Sequence, residues 1–312
     1  MTVLTWEQDA ADTGRICADG RRTIAWYRYS DGRNYPYFAD LRPLNHEGVL
    51  SNHAPWDHRW HLGLWWSWKF INDVLYWEDH ESYGGARKGL GRAHVTAHTV
   101  EDGPGGPVIR EAVEWRENAS GTVALRERRL MSLAAEPAVA GGWRIDWDHE
   151  WTATVVAQLS VTPYPENSWG GYAGLNFRPA RSMAARERIR ASGGRQGSSQ
   201  LHGRDALWGS YSGLTDGAHG HTRDEPAFGG LALLVHPDNA PTPLYAYSAE
   251  QSFGFLAAAP LMLQEKVLQP DETLRLRFRT VVLGEEPTTE QVDALHATYA
   301  AAPAAQPDAT RS

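Results

Sequence analysis

Two stretches of the chain alternate between apolar and polar side chains with the two-residue period of a β-strand. One face of residues 143–151 carries Trp143, Ile145, Trp147 and His149, and the other face is charged. One face of residues 273–283 carries Leu274, Leu276, Phe278, Thr280 and Val282, and three arginines lie on the other. Both stretches are therefore predicted to be strands with one buried face.

Further β-rich segments are separated by clusters of Gly, Asn, Asp and Pro, a pattern typical of hairpins. These segments are residues 23–29, 94–100, 108–115, 122–133, 152–161 and 229–236. Helical spacing is limited to residues 288–301, where Thr288 or Thr289 is the expected N-cap. We predict an all-β fold, a large two-sheet antiparallel β-sandwich with one C-terminal helix. Residues 1–301 form a single domain in this interpretation, and residues 302–312 form a disordered tail.

The composition agrees with a folded, strand-rich protein and excludes several classes of function. The chain has 312 residues, a net charge of -8 and one cysteine, Cys17, so an internal disulfide framework is excluded. It has no apolar run of the ~18 residues needed for a membrane span, no basic cluster and no secretory signal pattern. We therefore expect a soluble, cytoplasmic protein that binds neither nucleic acid nor membranes. The oligomeric state is left open.

Residues 45–77 concentrate the candidate chemistry, because four histidines lie there among acidic residues and tryptophans. Asp57, His58 and His61 follow a proline, which breaks regular structure and lets side chains converge. We predict that His58 or His61 is an acid/base and that Asp57 orients it. Two alternatives stay open. His53, His58 and His61 bind a divalent metal together, or these imidazoles only hydrogen-bond the backbone.

Polar residues at two other places are candidates to hold a substrate. Tyr172, Asn176 and Arg178 follow two glycines and alternate with apolar residues, so they are expected to share one face. Such a face suits hydroxyl or carboxylate groups, although an ordinary half-exposed strand gives the same pattern. His236 and Asn239 end an apolar strand, where site residues are common, but Asn239 also suits a simple turn.

Tryptophan is abundant, with fourteen residues, and it either fills a bulky β core or offers flat surfaces to a sugar. Trp65 and Trp66 are the candidate stacking walls, since they follow the histidines closely; His53 and Arg59 are further candidate binding residues. The sequence contains no GxGxxG before a helix, no GxxxxGK[ST], no HExxH, no GxSxG and no CxxC. No organic cofactor is therefore predicted, and a divalent metal is left open.

Several motifs, in order, resemble the PmoA-like family of unknown function (DUF6807). They are PYFADLRPL, APWDHRWHLGLWWSW with INDVLYW, DHEWTATV, GGYAGLNFR, LWGSYSG and GLALLVHPDNAPTP, within residues 35–283. The family's central motif commonly reads Asp-His-Pro-His-His-Arg-Gly-Leu. This chain keeps Asp57, His58, His61, Gly63 and Leu64, but it has Trp60 where histidine is common and Leu62 where arginine is common. A three-histidine site then requires His53 or His46 as a substitute.

The resemblance implies a soluble β-sandwich protein, often encoded near sugar oxidoreductases and glycoside-degrading enzymes. The copper chemistry of membrane methane monooxygenase is not carried over, because the chain shows no membrane span. A mutarotase-like supersandwich is one form of the expected fold. We predict an enzyme that cleaves or rearranges a glycoside or an oxidised (keto) sugar by His/Asp acid–base chemistry, with a small carbohydrate as its partner. The alternatives are a non-catalytic carbohydrate-binding module and a His-ligated metal-dependent enzyme.

Overall fold

The chain folds into antiparallel sheets and ends in a helix. The computed structural model describes residues 2–30, 32–80, 82, 85, 87–163 and 170–302. In chain order the strands are β1 (Leu4–Ala10), β2 (Thr13–Ala18), β3 (Arg22–Arg28), β4 (Tyr37–Ala39), β5 (Leu64–Ser67), β6 (Phe70–Ile71), β7 (Val74–Leu75), β8 (Gly91–Asp102), β9 (Pro107–Glu117), β10 (Val123–Ala135), β11 (Trp143–Ala153), β12 (Ala157–Ser160), β13 (Gly174–Phe177), β14 (Arg188–Ala191), β15 (Arg195–Gln196), β16 (Arg204–Asp205), β17 (Trp208–Leu214), β18 (Phe228–Val235), β19 (Pro243–Tyr247), β20 (Phe255–Ala258), β21 (Lys266–Leu268) and β22 (Thr273–Leu283). The helices are α1 (Ser198–Leu201) and α2 (Thr289–Ala300), and a single 3-10 turn spans Arg181–Ala184.

Within the described residues, two nine-stranded sheets contain most of these strands. The first sheet has the order β1-β2-β3-β4-β5-β13-β20-β19-β16, and the second has the order β15-β14-β17-β18-β22-β11-β10-β9-β8. A smaller sheet has the order β21-β12-β6-β7. Neighbouring strands pair in antiparallel fashion, for example β5 with β13 and β11 with β22. The predicted all-β fold, with two large antiparallel sheets and one C-terminal helix, is confirmed.

The two alternating stretches seen in the sequence are neighbours in the second sheet. Trp147 of β11 lies opposite Phe278 of β22, so the apolar residues of both strands share one face. That face packs on the first sheet, where the Trp66 ring lies 4.9 Å from Trp151 and 5.6 Å from Phe278. The alternation therefore identified the buried face of the second sheet correctly.

A charged network is buried between the two sheets. Tyr27 of the first sheet donates a hydrogen bond of 2.8 Å to Glu111 of the second. Arg129 pairs with Glu111 at 3.3 Å and with Glu127 at 2.8 Å, and His149 Nδ1 lies 2.7 Å from Glu127. All five side chains are buried. Charges removed from water must be paired in this way, because an isolated buried charge is strongly unfavourable.

Helix α2 confirms the helix predicted at the C-terminal end. Thr288 caps it by accepting a hydrogen bond from the Gln291 backbone at 3.2 Å, and the Gln291 side chain accepts from the Thr288 N–H at 2.7 Å. In the described part of the chain, no helix is both long and apolar enough to span a membrane. Residues 303–312, almost all of the predicted disordered tail, lie outside the described residues.

Candidate functional site

The register of the first sheet brings Trp65 and Asn176 together on its outer face. Trp65 of β5 pairs with Asn176 of β13, so the two side chains point to the same side of the sheet. Trp66, the next residue, points to the opposite side and packs on the second sheet. Trp65 and Asn176 therefore form a floor that faces away from the sandwich core.

Five aromatic side chains form a closed series of neighbours beside this floor, which we call the aromatic wall. The successive ring-centroid distances are 6.3 Å for His61–Trp77, 4.8 Å for Trp77–Tyr172, 5.7 Å for Tyr172–Tyr245, 5.8 Å for Tyr245–Phe255 and 5.1 Å for Phe255–His61. Trp65 contacts three members of the wall, at 5.3 Å from His61, 5.7 Å from Trp77 and 6.0 Å from Phe255. Flat apolar rings placed around a polar floor suit the faces and edges of a sugar.

Two buried polar atoms of the floor lack a hydrogen-bond partner among the described residues. They are Trp65 Nε1 and Asn176 Oδ1, and both side chains are fully buried. The amide nitrogen of Asn176 is satisfied, since it donates 3.3 Å to the Trp65 carbonyl. An unsatisfied buried polar group costs about 1–3 kcal/mol, but the Nε1 atoms of Trp66, Trp68 and Trp151 are unpartnered in the same way, so the two floor atoms do not by themselves mark a ligand site.

A compact turn presents Asp57 and His58 beside the wall. The Ala54 N–H donates to the His61 carbonyl at 2.8 Å, and the His58 N–H donates to the Pro55 carbonyl at 3.0 Å. His58 Nδ1 lies 3.1 Å from Asp57 Oδ2, and its ring stacks on His61 with centroids 4.8 Å apart. The turn therefore aligns a carboxylate and two imidazoles in the order Asp57, His58, His61.

Arg178 determines the proton positions in this group. Its Nη2 donates a hydrogen bond of 2.7 Å to Asp57 Oδ2, and its Nη1 lies 3.2 Å from His61 Nδ1. A guanidinium can only donate, so His61 Nδ1 accepts and His61 Nε2 carries the proton. Arg181 donates 2.8 Å to the other Asp57 oxygen. The ring of Phe253 lies under the Arg178 guanidinium at 3.9 Å and shields this buried charge.

The electrostatics fix the charge state of each group. Burial alone would raise the pKa of Asp57, but the hydrogen bond and charge of Arg178 outweigh it and lower the pKa to about 2. Ionised Asp57 only accepts, so His58 Nδ1 donates to it and His58 Nε2 keeps a lone pair. Burial lowers the pKa of His58, and burial with the Arg178 charge lowers the pKa of His61 further. Both imidazoles are therefore neutral at pH 7.

A second polar cluster lies behind the wall at Tyr172. The ammonium of Lys69 is 2.6 Å from both Glu78 oxygens and 2.6 Å from the Tyr172 hydroxyl, which donates 2.8 Å to Glu78. Burial lowers the pKa of Lys69 to about 8, although Glu78 acts in the opposite direction. The sequence interpretation missed Lys69. A lysine inside the apolar run WWSWKFI was the available signal, because a buried lysine needs an acidic partner.

The structure brings several predicted site residues together and places others beside them. Asp57, His58, His61, Arg178, Trp65, Asn176 and Tyr172 form one continuous group through the contacts given above. His53 stacks on Tyr37, a floor neighbour that pairs with Trp65, and its Nε2 lies 3.1 Å from the Tyr37 hydroxyl. Sequence reasoning missed Trp77, Tyr245, Phe253 and Phe255, since an aromatic residue in a strand or a loop carries no signal that distinguishes a wall from a core.

Four residues that were predicted for the site do not belong to this group: Trp66, Arg59, His236 and Asn239. Trp66 faces the sandwich core, so it is not a stacking wall. Arg59 is half exposed and pairs with Asp79 at 3.0 Å. His236 follows β18 in the second sheet, packs on Tyr299 of α2 at 5.1 Å, and bonds the Asp238 backbone.

Asn239 completes the turn after β18, because it exchanges hydrogen bonds of 2.7 Å and 2.9 Å with the Arg277 backbone. The prediction that His236 and Asn239 hold the same substrate as Arg178 is therefore corrected, because their turn follows a strand of the second sheet and Arg178 follows a strand of the first. An apolar strand that ends in a histidine does not reveal which sheet, or which end of it, the strand joins.

The proposed three-histidine metal set is not assembled in the part of the chain that the structure describes. No group of three or more His, Cys, Asp or Glu side chains there has the arrangement to hold an ion. The coordinating atoms also have other partners, because His61 Nδ1 accepts from Arg178 and His58 Nδ1 donates to Asp57. A guanidinium so close to His61 would repel a divalent cation.

These features define a class of protein, an all-β protein with an imidazole–carboxylate–guanidinium site and aromatic walls on the outer face of one sheet. The chain belongs to the Family of unknown function (DUF6807), whose model matches residues 15–297, and the resemblance seen in the sequence is confirmed. None of the curated proteins compared with the chain matches it.

Among solved structures, the chain is similar to the crystal structure of a candidate mutarotase (YeaD) from Salmonella typhimurium. The two sequences are 11% identical, and the match covers 91% of this chain and 94% of that chain with a TM-score of 0.35. A likeness at this level carries no argument about the chemistry of this site. The function is therefore inferred from the site alone.

Proposed function

We propose that this protein is a carbohydrate-active enzyme that removes a proton from the carbon beside the carbonyl of a keto sugar. The observation that carries the proposal is the pairing of His58 and His61. His58 Nε2 has a lone pair and no proton, and His61 Nε2 has a proton and no lone pair, in rings stacked 4.8 Å apart. One ring can accept a proton while the other donates a hydrogen bond to the same substrate.

The reaction follows from these two roles. His58 Nε2 takes the proton from carbon, and the electron pair of that C–H bond forms the carbon–carbon double bond of an enolate. The enolate oxygen accepts a hydrogen bond from His61 Nε2–H. The His61 imidazole stays neutral because its other nitrogen, Nδ1, accepts a hydrogen bond from Arg178. The enolate then either expels the substituent on the next carbon, an elimination in which that substituent takes the proton held by His58, or isomerises. In the isomerisation the hydroxyl on the deprotonated carbon passes its proton to the enolate oxygen, and the former carbonyl carbon takes the proton held by His58.

Direct glycoside hydrolysis by two carboxyl groups fits this site less well. That chemistry requires one carboxylic acid protonated near neutral pH and a second carboxylate opposite it. Asp57 is ionised and bound by two arginines, and Glu78 accepts from the Lys69 ammonium through both oxygens. Both carboxyl groups are therefore engaged as hydrogen-bond acceptors of cationic side chains. A neutral His base with a neutral His donor suits proton abstraction beside a carbonyl instead.

The proposal is tested by assaying the full chain with 3-ketoglucosides and with their unoxidised parent glucosides over a range of pH. We expect turnover of the keto compounds only. Because the pKa of His58 lies below the usual value of about 6.5, kcat/KM is expected to be constant at neutral pH and to fall below that lowered pKa. Asp57 contributes no second step in this range, since its pKa is about 2.

Two results would contradict the proposal. One is turnover of unoxidised glucosides at equal rates, which would point to hydrolysis. The other is a kcat/KM that rises as the pH falls through the same range, because a protonated imidazole would then be the active form. Binding of these sugars without turnover would favour the non-catalytic carbohydrate-binding module, with Trp65 and Asn176 as its floor.

A further inference from the structure

Trp56 is an exposed aromatic residue in the turn of residues 54–61, which also carries Asp57 and His58. Its exposed fraction is 85%, the highest of any large apolar side chain in the described residues, whereas Trp65, Trp66, Trp68 and Trp77 are at most 1% exposed. Folding leaves most of this ring in water, so it gains little of the stabilisation that a buried aromatic side chain provides. A single exposed apolar ring is common on protein surfaces, so the significance of Trp56 comes from its position one residue before Asp57.

The backbone of the turn that carries Trp56 is well defined. Ala54 has φ 48°, a left-handed conformation that is uncommon for a residue with a side chain. The turn is closed by the Ala54–His61 hydrogen bond at its base and by the His58–Pro55 bond at its tip. Trp56 therefore stands at the tip of the same turn that fixes Asp57 and His58.

Arg181 connects the exposed ring to the reacting groups. Its guanidinium donates a hydrogen bond of 2.8 Å to Asp57 Oδ1 and lies 5.7 Å from the centre of the Trp56 ring. Asp57 in turn accepts a hydrogen bond from His58, whose side chain is 31% exposed. Trp56, Arg181, Asp57 and His58 thus form one series of contacts, and each of these side chains is at least partly exposed.

We propose that Trp56 is a stacking platform for a second ring of the substrate, so that the substrate is a keto-glycoside and not a free keto-monosaccharide. This inference rests on the proposed function, since it takes the reacting sugar to lie at His58 and His61. The second ring is a sugar or an aryl aglycone, both of which present a flat face of C–H or ring carbon. In an elimination the C–O bond to this ring breaks, and the glycosidic oxygen takes the proton that His58 removed from carbon, so the ring leaves as an alcohol or phenol.

The platform is tested with methyl 3-ketoglucoside, phenyl 3-ketoglucoside and a 3-keto disaccharide of glucose. Two ratios of kcat/KM are compared, phenyl to methyl substrate and disaccharide to methyl substrate. In Trp56→Ala we expect each ratio to fall about tenfold, because the variant loses the energy of one aromatic stacking contact. Trp56→Phe should restore most of each ratio. Trp6→Phe, on the edge strand β1, is the matched control and should leave both ratios unchanged. Unchanged ratios in Trp56→Ala would overturn the platform.

A binding measurement separates this inference from the proposed function. The fluorescence of Trp56 is obtained as the difference between the wild type and Trp56→Phe, and its quenching by acrylamide is measured with phenyl glucoside or methyl glucoside present. Protection by the phenyl compound alone supports the platform even if no keto sugar is turned over, in which case the proposed function fails. Turnover without protection overturns the platform and keeps the function. Neither turnover nor protection overturns both.

Discussion

His58→Gln should lower kcat/KM for a 3-ketoglucoside by about 10³-fold, within the range of general-base catalysis. Glutamine has a similar length and retains hydrogen bonding, but it cannot accept a proton at neutral pH. Asp57 keeps its two arginine partners in this variant, so the turn is expected to keep its shape. The measurement is steady-state kinetics at pH 7, with the melting temperature as a check on folding.

His94→Gln is the matched control for this loss. His94 is a partly exposed imidazole on β8 in the second sheet, and its replacement should leave kcat/KM within about twofold of the wild type. A His58→Gln variant that keeps more than a tenth of the wild-type kcat/KM would show that His58 is not the base. A fall that is matched by unfolding would show a structural role instead.

Arg129→Met should lower the free energy of unfolding by about 3–5 kcal/mol, the range for breaking a buried ion pair. Arg129 is the only cation that contacts both Glu111 and Glu127 in the network between the sheets, as far as the described residues show. Burial alone would raise the pKa of Glu127, but the Arg129 charge outweighs it and lowers the pKa to about 2. Without that charge, two buried carboxylates are left uncompensated.

Urea unfolding measures this effect, and the neighbouring arginine provides its control. Arg128 points to the other side of β10, its side chain is 72% exposed and it pairs with Glu150 at the surface. Arg128→Met should therefore change the free energy of unfolding by less than about 1 kcal/mol. Equal losses in the two variants would contradict the difference in burial that the structure assigns to them.

The fold was accessible from the sequence because its strongest signals are periodic. The alternation in residues 143–151 and 273–283 reports directly on a strand with one buried face, and β11 (Trp143–Ala153) and β22 (Thr273–Leu283) are those strands. The helix was accessible through its Thr288 cap and the spacing of its apolar residues. The pairing of β11 with β22 was not, because alternation sets the face of a strand and not its neighbour.

The site was only partly accessible for the same reason. Asn176 and Arg178 share a face by simple alternation, and the structure places Asn176 next to Trp65 and Arg178 next to His61. The sequence could not show which of Trp65 and Trp66 faces the site and which faces the core, because adjacent residues exchange faces when a strand shifts by one position. The tautomer of His61 depends on Arg178, which is 117 residues away in sequence, so it required the folded chain.

Solvent-deuterium exchange tests the central claim most directly, that neutral His58 removes a proton beside a sugar carbonyl. A 3-ketoglucoside is incubated in D₂O with the wild type or with His58→Gln, and deuterium in the recovered sugar and product is measured by NMR. We expect the wild type to remove the original hydrogen from the carbon next to the carbonyl, seen as its loss or exchange, and His58→Gln to do so at least about 10²-fold more slowly. Turnover by the wild type that leaves the original hydrogen on that carbon, or equal loss in both proteins, would contradict the claim.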